Sequence, residues 1–263
     1  MRVIVLGSGT SHGVPSIGCD CAVCRSTDPK DKRTRPSILI ELPAAGQPGY
    51  AATAPSAFAA GVRSILVDTS TDLRTQALAQ NVRRVDAILF THSHADHIFG
   101  LDDVRSFNQR QKTPLACYGD ATTLANLRRT FAYVFAPPEQ LGGGLPQLSL
   151  FPLVGPFTLG GVEIVPVRVF HGRLPVLGFR VGSFAYLTDC NRIPDESWRL
   201  LAGVRTVILD ALRHRPHSTH FSVSEAVDVV ARLGAERAYF THICHDLPHA
   251  ETCAQLPPGV ELA

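Results

Sequence analysis

Seven residues, Thr91-His92-Ser93-His94-Ala95-Asp96-His97, follow the apolar run 85–90 and place four metal-ligating side chains within six positions. Crowded imidazole and carboxylate groups at the end of a strand need a common partner to stay ordered, and a metal ion is that partner. His92 and His94, two apart, face the same way from an extended strand end. His94 and His97, three apart, share one turn of a starting helix. The spacing can therefore grip two metals at once, and it demands a fold that delivers a strand end directly into a short helix.

The chain has 263 residues, 45% of them hydrophobic, enough for a large core in a single α/β domain over 1–263. Its formal net charge of +2 writes no strong footprint for nucleic acid or membrane. The opening apolar stretch after Met1 is too short for a signal peptide, and nothing approaches the ~20 apolar residues of a membrane span, so a cytoplasmic protein is expected. Seven cysteines are an odd number, and three of them stand together as Cys19, Cys21 and Cys24. In that compartment CxCxxC points to thiolate ligation of zinc, an insert at 18–25 lacking its fourth ligand; a redox pair or buried thiols are the alternatives.

Apolar and β-branched runs predict strands at 2–6, 37–42, 64–68, 85–90, 115–118, 162–170, 184–189, 204–209 and 237–240. Helices are predicted from Thr71 to about 80, from Asp120 or Thr122 to about 133, and over 223–233. The glycine-rich turn 7–13 can offer backbone N–H groups to an anion. The basic loop 28–36 reads as solvated, and so do Arg128 and Arg129. The uncharged Ala/Pro/Gly stretch at about 43–61 reads as a flexible insertion, and 136–146 as a long loop suited to a lid or a substrate-binding arm.

His-Ser-His-Ala-Asp-His resembles the HxHxDH signature of the metallo-β-lactamase fold hydrolases. Within them the chain looks most like the cyclic phosphodiesterases of phosphonate breakdown, with ribonuclease Z more distant. The resemblance implies an α/β fold, an αβ/βα sandwich of two mixed β-sheets covered by helices. It implies that His92, His94 and His171 hold one metal, that Asp96, His97 and His242 hold a second, and that Asp189 bridges them. Asp68 fits the strand-end aspartate that supports the metal loop. His220, just before a helix, matches an acid or orienting group, and His245, three residues after His242, suits the fourth ligand of the cysteine site.

Two zinc or manganese ions at the active site and one structural zinc follow. The implied reaction is hydrolysis of a small phosphodiester, a cyclic phosphate by family, with Asp96 and His220 as catalytic groups and hydroxide made available at neutral pH by the metals. The alternatives are tRNA 3′-end processing, for which the uncharged insertions supply no basic arm, thioester or acyl hydrolysis, which gains nothing from His220, and a non-enzymatic metal-binding or interaction module, which would leave an open coordination site idle. A homodimer is compatible with the sequence, no membrane partner is expected, and His214 and His217 are left without a role.

Overall fold

The computed structural model describes residues 1–42, 63–137 and 144–263, so the Ala/Pro/Gly insertion and the centre of the 136–146 loop lie outside the described residues. The chain divides into two compact units, Met1–Leu6 with Ser37–Val162 and Gly7–Pro36 with Glu163–Ala263. Among the described residues no helix is long and apolar enough to cross a membrane.

The first unit is built on a six-stranded sheet in the order β1 (Arg2–Gly7), β2 (Ser37–Glu41), β3 (Ser64–Val67), β4 (Ala87–Leu89), β5 (Leu115–Gly119), β6 (Leu148–Pro152). Strands β2 and β3 are antiparallel, whereas β3 to β6 are parallel. Strands β2 to β5 are buried throughout or nearly so, which is why they read as continuous apolar runs rather than alternating ones. Leu66, Ile88 and Cys117 pack with Leu73 of α2 (Leu73–Ala79), Ile98 of α3 (Ala95–Ile98), Phe107 of α4 (Arg105–Gln111) and Leu124 and Leu127 of α5 (Ala121–Thr130).

In the second sheet β7 (Phe157–Leu159), β8 (Val162–His171), β9 (Leu174–Val181), β10 (Phe184–Leu187), β11 (Thr206–Asp210), β12 (Arg237–Thr241) and β13 (Val260–Leu262) are neighbours in that order. Strands β8, β9 and β10 are antiparallel, and β10 to β13 are parallel. Helix α8 (Val223–Leu233) buries Val223, Ala226, Val229 and Val230 in this unit's core. Its start is fixed by a capping box between Ser222 and Glu225, and its end by Gly234 in the left-handed region at φ 64°. Shorter helices α1 (Ala22–Arg25), α6 (Ala132–Phe135), α7 (Asp195–Leu200) and α9 (His249–Gln255) complete the set.

Several local expectations are corrected. Thr71 does not cap α2: Asp72 holds that position, and the Thr71 hydroxyl donates instead to the Ala95 carbonyl, next to the metal motif. Asp120 caps α5 as expected, but the helix breaks at Phe131 and restarts as α6. After α3 the chain continues through a 3₁₀ turn, Leu101–Val104, into α4, a helix in a stretch left unassigned by the sequence. The 28–36 loop is not simply solvated, since Asp31 and Arg33 are only 5% and 4% exposed. Strands β6, β7, β9 and β13 and helices α7 and α9 fall in stretches left unassigned by the sequence.

Removing the Ser222 hydroxyl takes away the acceptor for the Glu225 N–H and one arm of the box. Ser222→Ala is expected to lower stability by about 1 kcal/mol, read as a fall in the urea midpoint with an unchanged slope.

Candidate metal centre

In the first unit, Asp68 stands just past β3 in the left-handed region at φ 62°, fully buried. Its Oδ1 accepts from the Thr91 N–H at 2.8 Å, and its Oδ2 accepts from the Thr91 hydroxyl and from His97 Nδ1, both at 2.7 Å. A carboxylate only accepts, so His97 carries its proton on Nδ1 and presents the lone pair of Nε2. Thr91 spends its one proton on Asp68 and therefore accepts from His92 Nδ1 at 3.0 Å, which fixes the same tautomer there. One carboxylate thus sets two imidazoles for ligation through Nε2. Burial pushes the Asp68 carboxyl up, and the neighbouring His97 and the Thr91 bonds pull against that.

The other members of the motif gather around it. The His92 ring centroid lies 4.4 Å from that of His94 and 4.2 Å from that of His97, while Asp96 Oδ2 is 3.4 Å from His97 Nε2. His94 is the N-cap residue of α3, and Asp96 and His97 lie within that helix, so the strand exit and the single helical turn read from the spacing are both present. Asn126 of α5 donates to the Ser93 hydroxyl at 2.8 Å and braces the loop from the side.

The second unit brings together His171, Asp189, His220 and His242. His171 ends β8, and its Nδ1 donates to the Thr219 carbonyl at 2.9 Å, which leaves Nε2 as its lone-pair nitrogen. Burial lowers its pKa, with Asp189 opposing, so the ligating neutral form is favoured. Asp189 and His242 both sit just past strand ends with positive φ, 51° and 59°, and Asp189 Oδ2 is 3.2 Å from His242 Nε2. Backbone strain of this kind in non-glycine residues collects at functional sites. Ligand atoms of His171, Asp189 and His220 lie within 4.8 Å of one another. His220 is oriented by Asp210, whose Oδ2 accepts from its Nδ1 at 2.7 Å and from the Cys190 N–H at 2.6 Å.

Asp210 and Thr91 are the participants that sequence reasoning missed. A signal existed: Asp210 terminates an apolar strand just as Asp68 and Asp189 do.

Beside His220 lies a cavity of about 300 Å³ lined by Thr10, Ser11, His12 and Gly13 of the glycine-rich turn and by Arg213, Arg215 and His217. His217, unassigned by sequence, accepts from the Thr219 N–H at 3.3 Å, whereas His214 is exposed. Of the two arginines, Arg215 pairs with Asp246 at 3.0 Å.

The four residues expected of the cysteine site also come together. His245 Nδ1 lies 3.1, 3.4 and 3.5 Å from the sulfurs of Cys19, Cys21 and Cys24. A tetrahedral zinc with ordinary Zn–S and Zn–N bonds would set these edges at about 3.6 Å, so the donor set fits that ion. The Cys24 backbone N–H draws the Cys21 thiol down to about 7 against the pull of burial, whereas burial pushes Cys24 up to about 11.

A model described as the beta-lactamase superfamily domain matches residues 63–243. The chain belongs to that superfamily. It is 37% identical over 262 residues to the octanoyltransferase of Porphyromonas gingivalis, a match covering 99% of the chain and 49% of that protein, so the chain spans about half the length of this relative. Among solved structures, a diphosphatase from the PhnP family is 42% identical with a TM-score of 0.85, covering 99% of the chain and 93% of that structure. Zinc-bound PqqB from Methylobacterium extorquens (19% identical, TM-score 0.72, 100% and 97% covered) and the short form of human tRNase Z (19%, TM-score 0.62, 100% and 96%) share the fold. The metallo-β-lactamase fold expected from the motif is thereby shown.

Asp68→Asn keeps the shape but loses an acceptor, so the tautomers of His92 and His97 are no longer both fixed. Supporting partners of this type are worth 10- to 100-fold in metal affinity. Elemental analysis after dialysis against a graded chelator should show that loss with the thiolate-bound metal retained.

Proposed function

We propose that the protein hydrolyses small phosphodiesters, cyclic phosphates among them. His92, His94 and His171 would hold one zinc or manganese ion, Asp96, His97 and His242 a second, and Asp189 would serve both. Such a pair of ions, when bound, lowers the pKa of a shared water from ~16 toward ~7 and offsets phosphate charge. The chain's own residues supply the remainder. Asp96 accepts a hydrogen bond from the attacking water and orients it. His220, held by Asp210, gives a proton to the leaving oxygen or neutralises its developing charge.

The cavity beside His220 carries this reading. Two guanidinium groups, four imidazoles and the hydroxyls of Thr10, Ser11 and Ser16 surround it, Asp246 is its one carboxylate and is paired with Arg215, and Leu212 is its one large apolar lining residue. Such a lining suits an anionic, hydroxylated substrate and gives an acyl chain nothing to bind. The same cavity is too small for a folded RNA, and a net charge of +2 supplies no polyanion surface. A second electrophile, the phosphoanhydride of a small diphosphate, is favoured by the likeness to the PhnP-family diphosphatase.

With metal-replete protein, kcat/KM should be highest for a five-membered cyclic phosphate or a small diphosphate, lower for an unstrained linear alkyl diester, and slight for a phosphomonoester. A larger value for a β-lactam or a glutathione thioester than for every phosphorus substrate would overturn the reading. His220→Ala should keep the active-site metals and lose roughly 10²- to 10⁴-fold in turnover. Departure of a metal with the imidazole would make His220 a ligand instead.

A further inference from the structure

The basic loop that read as solvated contains the most thoroughly engaged cation described in the second unit. The Arg33 side chain is 2% exposed. Its Nη1 donates to the Cys244 carbonyl at 3.2 Å, and its Nη2 donates to the Leu247 carbonyl at 2.8 Å and to Asp31 Oδ1 at 3.2 Å. Nε donates to the Lys30 carbonyl at 3.2 Å. Asp31 Oδ1 in turn accepts from the His249 N–H at 2.9 Å. Cys244 and Leu247 bracket His245, so one guanidinium grips both sides of the segment that presents the imidazole.

The same residue is tied to the thiolates through its backbone. Arg33 and Val14 exchange N–H···O bonds of 2.7 and 2.8 Å, and Val14 packs with Val23 and Cys24. Neighbouring Lys32 donates to the Cys24 carbonyl at 3.1 Å. Burial opposes charge on both partners of the Arg33–Asp31 pair, yet the Asp31 carboxyl stays below its ordinary value because Ser26, the His249 N–H and the Arg33 charge outweigh desolvation.

We propose that Arg33 is a positioning residue for the thiolate zinc site, holding the His245 segment against the three cysteines so that the four donors are assembled before the ion arrives. The inference rests on reading Cys19, Cys21, Cys24 and His245 as zinc ligands. Lysine cannot replace it, because the planar guanidinium offers five N–H donors in a rigid fork and an ammonium offers three on a point charge.

The test uses the full chain and reads zinc affinity by competition with a chromophoric chelator, together with the thiolate-to-cobalt charge-transfer band of the cobalt-substituted protein. Arg33→Lys and the milder Asp31→Asn should bind zinc 10- to 100-fold more weakly, with a weakened cobalt band and the active-site metals retained. Ser222→Ala, destabilised elsewhere in the same unit, should bind it as the unaltered protein does. Equal affinity in the folded Arg33 and Asp31 variants, or an equal loss in Ser222→Ala, would overturn the role of Arg33. If Cys21→Ser removes no metal from the otherwise unaltered protein, the zinc reading falls and the inference falls with it.

Discussion

A single buried carboxylate holds the first unit's share of the site in register. Asp68 is 0% exposed and satisfies three donors at once, the Thr91 N–H, the Thr91 hydroxyl and His97 Nδ1. A charge so deep is costly unless every lone pair is used. The bonds it makes therefore leave little freedom: the strand exit at Thr91, the tautomer of His92 and the ring orientation of His97 follow from one anchor. Leu66 and Val67 on one side and Ile88 and Leu89 on the other are wholly buried, so the strands that deliver the anchor and its partners cannot shift register without exposing the core.

The second unit repeats the device with different residues. Asp210 closes β11 and fixes His220, while the Thr219 carbonyl fixes His171. Asp68, the motif after β4, Asp189, Asp210 and His242 lie at or just past the carboxyl ends of strands that pair in parallel, where chains leave the sheet side by side and the backbone can turn sharply, whereas His171 ends the antiparallel strand β8. Asp68, Asp189 and His242 accept the left-handed conformation there. Glycine would adopt it more cheaply but would bring no ligand or carboxylate, so the strain is held in place by the packed strands behind it.

Local pattern made the metal motif legible, because all four of its ligating side chains lie within six residues, and it made the buried strands legible, because β2 to β5 and β10 to β12 are short apolar runs bounded by polar turns. Strand β9 was not, since Pro175 and Gly178 interrupt it; Gly178 is required because a Cβ there would collide with Leu187. Strand β6 was missed because its residues are half-buried with no alternation. The engagement of Arg33 could not be read at all. Its partners Cys244 and Leu247 are 211 and 214 residues away, and only the fold brings a basic loop residue to two distant carbonyls.

The cysteine segment is linked to the cavity through the backbone. Gly9 pairs with Ile243, the residue after His242, and its lack of a side chain lets it lie against the Arg33 segment as well, where a Cβ would stand 2.6 Å from the Arg33 carbonyl oxygen. The Thr10 N–H bonds to the Ile243 carbonyl at 3.0 Å, and the Ile243 N–H to the Ser8 carbonyl at 2.8 Å. The glycine-rich turn that lines the cavity is thus stitched to the segment that carries both His242 and His245. Val14, paired with Arg33 at one end of that turn, packs with Val23 and Cys24 of the cysteine knuckle. The cysteine segment and the turn that lines the cavity therefore share one backbone framework, and neither can move far without the other.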